Sequence, residues 1–339
     1  MRARISLAAA VAACLAAPAL AQNGGENEIV VTGERAREIA QAFAEHAAVA
    51  PTASEQYARW NARLCPGVVG LETSDAQVLI DQIAYRADQV GLQVERSGCR
   101  ANLVILFAQD SDMLARELRE TRPDLLGYYS QDDTVTAGRA ALEDFVNTPR
   151  AVRWWHISQT VSADGRPLGD TNSRSGRSTA SAVAAARGNA QEAATTGSGF
   201  SGVDSVRSSG TRTRRDTRQD LNYALIIVDG HRIAGIPSTA VADYVAMAAL
   251  APLDPDADMT GFPSILNLFA DDAADRIGEP EMSEWDIAYL RGLYSATREA
   301  NNAHQQRSEI ASQLEVQTTK CHFVCLREDP DDLSRPWTL

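Results

Sequence analysis

Apolar and polar positions follow two rhythms along this chain. Ile39, Phe43 and Ala47 recur at helical spacing within 35–48, which predicts a short amphipathic helix. Residues 64–71 (LCPGVVGL) hold a brief apolar run that reads as a strand. A second helix follows, with Ser74 and Gln77 in capping-box positions, Leu79, Ile83, Ala87 and Val90 on one face, and Gly91 at the stop. Leu92–Val94 reads as a short strand. Asn102–Ala108 (NLVILFA) is apolar throughout, as a strand buried on both faces should be. Ser111–Glu120 is helical and ends before Arg122-Pro123, and a further helix is expected within 136–147.

Ala151–Val161 (AVRWWHISQTV) and Leu221–Asp229 (LNYALIIVD) have strand composition, and Asp229-Gly230 signals a turn. Between them, residues 162–219 are Ser, Thr, Gly, Ala and Arg, with Phe200 as the only aromatic. Such a segment buries too little apolar surface to offset its chain entropy, so it reads as a disordered insertion between two paired strands. The last third is helical. Ser238 caps a helix that Pro252 terminates, Pro263–Phe269 forms a short apolar turn, and Ser283 with Asp286 opens another helix. Residues 300–316 extend helically, and 317–339 form a polar tail. The β-α-β-β-α order implies helices packed on one mixed sheet, an α+β domain spanning 35–316.

Charge changes the picture in one direction. The 339 residues carry 32 basic and 45 acidic side chains, a net charge of -13. That excess argues against nucleic acid as a partner, because phosphate attraction needs a basic face. Residues 162–219 run the other way, with nine Arg against five acids. This loop can rest on its own acidic body or touch anionic lipid or polysaccharide.

The N-terminus reads as an export signal. Arg2 and Arg4 precede an apolar run, and Ala19-Leu20-Ala21 forms an A-x-A cleavage pattern, so residues 1–21 are a secretory signal peptide too short to span a membrane. A lipid anchor at Cys14 is the lesser reading of the same stretch. Cleavage after Ala21 removes Arg2, Arg4 and Cys14, which takes the charge from -13 to -15 and leaves no transmembrane helix. The mature chain is then expected in the periplasm or secreted, with 22–34 as a flexible leader. Four cysteines remain, and an even count in an oxidising compartment favours disulfides. Cys65 with Cys99, flanking the first strong secondary-structure unit, is the expected bridge, and Cys321 with Cys325 the second. Three pairings are open to four cysteines. A metal clip of Cys321, Cys325 and His322 falls one ligand short of a tetrahedral site.

Glu28-Ile29-Val30-Val31-Thr32, continuing to Arg35, is a β-prone island that resembles the short box near the mature N-terminus of TonB-dependent outer-membrane receptors. The resemblance implies strand addition to a TonB-type transducer; an ordinary edge strand or leader is the alternative reading. Residues 238–254 (STAVADYVAMAALAPLD), PSILNLF and SEWDIAYLRGLY resemble the tail of an alphaproteobacterial envelope family of unknown function with a zincin-like layout. That layout implies a helix bearing H-E-x-x-H, whose two histidines reach one zinc. Here Asp243, Tyr244 and Met247 stand where His, Glu and His are needed, so no family ligand carries over. The three are expected to mark a shallow relic cleft, where Asp243→Ala would change stability by less than about 1 kcal/mol.

Other chemistry is sparse. Asp254, Asp256 and Asp258 alternate like the first ligands of a calcium loop, but Met259 and Ile265 occupy the positions that require Gly and Glu. Asp271, Asp272 and Asp275 read as a helix start. His156 alternates with tryptophans on its strand and reads as a packed structural histidine. Neither G-x-S-x-G, a Walker loop nor G-x-G-x-x-G occurs. The sequence therefore points to an exported α+β protein without catalytic residues, metal or cofactor, binding or scaffolding an envelope protein or polymer. A metal-dependent hydrolase with scattered ligands and a TonB-coupled accessory protein are the rival readings.

Overall fold

The computed structural model describes residues 33–48, 56–127, 134–165, 214–270 and 281–320. Its strands are β1 (Arg59–Trp60), β2 (Pro66–Val69), β3 (Leu103–Ala108), β4 (Thr134–Val135), β5 (Val152–Ser162) and β6 (Thr217–Asp229). Its helices are α1 (Gly33–Ala47), α2 (Thr73–Asp88), α3 (Ser111–Thr121), α4 (Arg139–Asn147), α5 (Ser238–Leu250), α6 (Glu284–Ser295) and α7 (Ala303–Lys320), with 3-10 turns at Pro123–Leu126 and Ile265–Phe269. The signal segment 1–21 with Cys14, the box Glu28–Thr32, Asp271, Asp272, Asp275, Cys321, Cys325 and residues 166–213 lie outside the described residues.

The strands form one mixed sheet in the order β2-β3-β6-β5-β4, with β1 alongside the start of β6. β2, β3 and β6 are parallel neighbours, and β5 runs antiparallel between β6 and β4. Parallel pairing demands crossovers, and α2 supplies the one from β2 to β3. The fold is α+β, with a helical C-terminal third.

Side-chain alternation sends each strand's residues into two separate cores. Leu103, Ile105 and Phe107 of β3, Ala224, Ile226 and Val228 of β6, and Val152 and Trp154 of β5 pack beneath α1, α2, α5, α6 and α7. Val104 and Leu106, Leu225 and Ile227, and Trp155 and Ile157 meet α3 and α4 on the other face. The unbroken apolar run of β3 is thus explained by helices on both sides.

Four local expectations are corrected. Leu92–Val94 forms no strand; only Val94 bridges Leu64. α2 starts two residues early, because Glu72 O accepts from Ala76 N at 2.9 Å. Glu72 is therefore the N-cap, and Ser74 makes no capping bond. Pro237, with no side-chain donor or acceptor, holds the N-cap position expected of Ser238. β5 and β6 also run past their compositional ends, to Ser162 and from Thr217. Polar cross-strand bonds carry this extension: Gln219 Nε2 donates to Thr160 Oγ1 at 2.7 Å, and Arg218 Nη1 donates to Ala163 O at 3.1 Å.

The box at Ser283 and Asp286 forms as expected. Asp286 is fully buried and also accepts from Ser264 Oγ at 2.6 Å and Ile265 N at 2.8 Å, tying α6 to the preceding 3-10 turn. α7 then packs on α6 across Gly292, where a Cβ would stand 2.9 Å from Ile310 Cα.

Cys65 and Cys99 form a disulfide with Cα atoms 6.0 Å apart, closing a loop of 34 residues around α2. Loop-closure entropy for that length stabilises the fold by about 3–4 kcal/mol. Cys65→Ser with Cys99→Ser is expected to lose stability of that order in urea unfolding. Non-reducing peptide mapping of the unaltered protein should show the linked pair, whereas free thiols at both positions would refute the bridge.

Candidate functional site

Open α/β sheets commonly bind ligands just beyond the carboxyl ends of their parallel strands, against a helix N-terminus. In this protein the corresponding place is filled by its own side chains. Asp229, the last residue of β6, is buried and accepts at Oδ2 from Ser111 N, the first residue of α3, at 3.1 Å. Its Oδ1 accepts from Arg232 N at 3.0 Å, and Arg232 Nη1 donates to Oδ2 at 2.8 Å. Arg232 reaches on to Asp112 at 2.8 Å, and Asp112 also accepts from Arg153. The Arg232 hydrogen bond holds the Asp112 carboxyl below its usual range. Arg153, only 1% exposed, has its guanidinium pKa lowered by burial, and donates to Phe145 O at 2.6 Å. This network ties β5, β6, α3 and α4 together, and the Asp229 carboxylate takes the anion position itself.

α5 was the expected place of a relic cleft at Asp243, Tyr244 and Met247. The structure corrects this: every residue of α5 except Thr239 is buried, with Asp243 and Met247 at 0% exposure. A helix apolar all round belongs in a core. Asp243 survives there because Arg86 of α2 meets it with two bonds, Nε to Oδ1 at 2.8 Å and Nη2 to Oδ2 at 2.5 Å. Gln82 Nε2 and Met282 N also donate to it, at 2.6 and 2.7 Å. Burial opposes the charge on Arg86, but the bond and the negative charge of Asp243 together leave its pKa raised. Tyr244 packs edge-on against Phe269 with ring centroids 4.8 Å apart, and it borders a surface pocket.

The acidic loop after α5 does not converge either. Asp254 accepts from Asp256 N at 3.0 Å, Asp256 pairs with Arg150, and Asp258 accepts from Thr260 N and Oγ1 at 3.1 and 2.6 Å. Among the described residues no three His, Cys, Asp or Glu side chains are grouped to hold a metal ion.

What the structure adds is a groove of about 420 Å³ along the edge of β5 that, among the described residues, only β4 pairs. Arg153, Trp154, Trp155, His156 and Ser158 all line it. Consecutive strand residues point to opposite faces, so a pocket that touches four in a row lies along the strand edge. At about 3.3 Å per residue, Arg153–Ser158 spans on the order of 17 Å. One wall comes from α4 through Ala140, Ala141 and Phe145, and the other from Pro252 and Leu253. Both tryptophans are pinned, Trp154 Nε1 donating to Leu253 O at 3.1 Å and Trp155 Nε1 to Leu126 O at 3.2 Å. Arg150 closes one end, paired with Asp144 at 2.9 Å and with Asp256. Sequence reading singled out the Trp-Trp-His strand but not this groove. Edge position depends on β4 being two residues long, and no local pattern reveals that.

His156 lies on the face of β5 that meets α5. Its Nε2 is sealed from solvent with no partner among the described residues. Burial pushes its pKa down to about 4, a backbone hydrogen bond with Ala248 opposing the shift without cancelling it. It is a neutral, packed histidine, and the groove touches it without engaging that nitrogen.

No protein-family model, curated protein or solved structure matches the chain.

Two outcomes follow from these geometries. Asp243→Ala strands the buried Arg86 guanidinium and should cost about 3–5 kcal/mol in urea unfolding. Arg86→Met combined with Asp243→Leu should recover most of that loss, and a single-variant cost below about 1 kcal/mol would contradict the buried pair. For His156, the unfolded chain takes up a proton below pH 6.5, but the fold resists it until about 4. Its stabilisation is therefore complete above pH 6.5 and declines as pH falls towards 4, by about 3 kcal/mol in all. Unfolding free energies of wild type and His156→Gln, compared from pH 7 to 4, should differ by a pH-dependent amount of that sign. Parallel curves would show that His156 does not titrate as described.

Proposed function

We propose that this protein is a non-catalytic binding module of the cell envelope, working in the periplasm or secreted. The signal-like pattern of residues 1–21 supports export, and the Cys65–Cys99 bridge suits an oxidising compartment. Among the described residues no helix is long and apolar enough to cross a membrane.

The observation that carries the reading is the β5 groove. Its size suits a ligand site, its walls are apolar and aromatic, and its charged groups are ion-paired or lie at its end. The buried carboxylates elsewhere in the described residues are engaged in holding the fold together. Asp229, Asp243 and Asp286 each accept from two or more neighbours, so none is poised as a base. A groove with apolar walls, two of whose acids, Asp144 and Asp256, are paired with Arg150, suits recognition better than turnover.

Ala140 is exposed on α4 and faces the groove, so Ala140→Trp should fill it and leave folding intact. In the native host this variant is expected to reproduce the envelope phenotype of a gene deletion while its unfolding midpoint stays near wild type. A normal phenotype in a folded Ala140→Trp variant would sink the groove as the functional site. Stoichiometric zinc retained by the purified protein after dialysis would sink the non-catalytic reading in favour of a metal-dependent hydrolase.

A further inference from the structure

We infer that the β5 groove takes an extended polypeptide segment carrying a basic side chain, which joins the sheet as an added strand. The inference rests on the binding reading above and names the class of partner.

The strand edge supplies the first argument. On the side away from β6, β5 has a strand partner only at Ser158 and Gln159, through β4, among the described residues. Of the stretch from Val152 to Ile157, Arg153, Trp154, Trp155 and His156 line the groove. Ala151 O accepts from Asp229 N on the β6 side, so by alternation the main-chain groups of Trp154 and His156 point away from β6. Their spacing matches the backbone of another strand, which is how sheet edges recruit peptides. Exposed edges are usually protected by a charged side chain, a proline or a bulge. The single irregularity in the β5–β6 pairing falls at Ile157/Ser158, where β4 already covers the edge. The one charged side chain on the open stretch, Arg153, is drawn into the core by Phe145 O and Asp112. Nothing on the strand itself blocks the approach.

The walls supply the second argument. Side chains of an added strand would alternate between the α4 wall, with Ala141 and Phe145, and the opposite wall, with Leu253. Both walls are apolar, so a segment with apolar residues at successive positions fits where a one-faced amphipathic strand does not.

Charge supplies the third. Three carboxylates rim the groove, Asp144, Asp254 and Asp256, against Arg150, whose guanidinium is shared between Asp144 and Asp256. Asp254 accepts only a backbone N–H in the same loop and has no guanidinium partner among the described residues. The end of the groove is therefore net negative on a chain of net charge -13, and it complements a Lys or Arg side chain.

The test uses three synthetic octapeptides of the same β-prone apolar sequence, added to the isotope-labelled mature chain. The first carries two lysines, the second two glutamates in their place, and the third is the lysine peptide N-methylated along its pairing edge. Amide NMR titration should show the lysine peptide perturbing residues 152–157. The glutamate and N-methylated peptides should bind at least tenfold more weakly, and Ala140→Trp should weaken the lysine peptide by a similar factor. Equal binding of the N-methylated peptide would overturn strand addition, and equal binding of the glutamate peptide would overturn the basic requirement. Failure of all three peptides to bind would overturn the inference as a whole. If they fail while Ala140→Trp still reproduces the deletion phenotype, the groove binds something other than a strand and the reading of the protein as a binding module stands. If Ala140→Trp is folded and phenotypically normal, that broader reading is the one that falls.

Discussion

Strand β6 is the constraint from which the rest of the fold follows. It pairs with β1 and β3 along one edge and β5 along the other, and helices cover both of its faces. Where it is so enclosed, the strand can satisfy its backbone only through its neighbours and favours apolar side chains. Residues 224–228 (ALIIV) are accordingly at 0% exposure throughout. β4 is antiparallel to β5 and therefore parallel to β3, so the chain travels back along the sheet with α3 to reach β4 and returns with α4 to the start of β5, laying both helices on one face. The crossover from β2 to β3 and the helix after β6 cover the other face with α2 and α5. With α2 and α5 adjacent, the buried Arg86–Asp243 pair becomes a specific join between them rather than an isolated polar group in a core.

Much of this was legible in the sequence, and the parts that were not share a cause. NLVILFA announced a strand enclosed on both faces because its apolar run is unbroken, LNYALIIVD announced a strand by its composition, and both are central. The Ser283–Asp286 box was readable because both partners of a cap lie within four residues. Cys65–Cys99 was readable because the two flank a single strand–helix unit, and the return helix brings the chain back beside the start of β2. Asp243 was misread because its reason for being polar lies 157 residues away, at Arg86. With the zincin resemblance in view, an acid on an apolar helix looked like the remains of a site. It is in fact a neutralised charge, held by four donor groups. The groove was invisible for the same kind of reason, since whether a strand is an edge is decided by the strands it lacks.

The two places where a sheet of this kind can meet a ligand have been treated in opposite ways. At the carboxyl end of β6, the helix α3 offers the unsatisfied N–H groups and positive dipole end that attract anions. Asp229 occupies that position, and Arg232 and Arg153 return the charge balance. An incoming phosphate would have to displace a buried carboxylate and leave two arginines to be re-paired, which a nucleotide-sized ligand gains too little to offset. The side edge of β5, by contrast, has no internal occupant among the described residues.

Leaving that edge open costs the fold little, and this is what makes it usable. Outward N–H and C=O groups that face a groove stay hydrated, and exchanging water for a peptide backbone gains only about 0.5–1.5 kcal/mol per hydrogen bond. The strand edge therefore contributes register and direction more than affinity. Affinity has to come from the walls, where each apolar side chain removed from water adds about 25 cal/mol per Å². Trp154 and Trp155, themselves largely buried, border the groove from opposite sides of one strand, and the hydrogen bonds from their indoles to Leu253 and Leu126 fix the rings before any partner arrives. Side chains already held in place lose little further entropy on binding. The rim carboxylates act at longer range, favouring the approach of basic segments and repelling acidic ones. Affinity, register and charge selection thus rest on different groups, so each can be altered without dismantling the sheet that presents them.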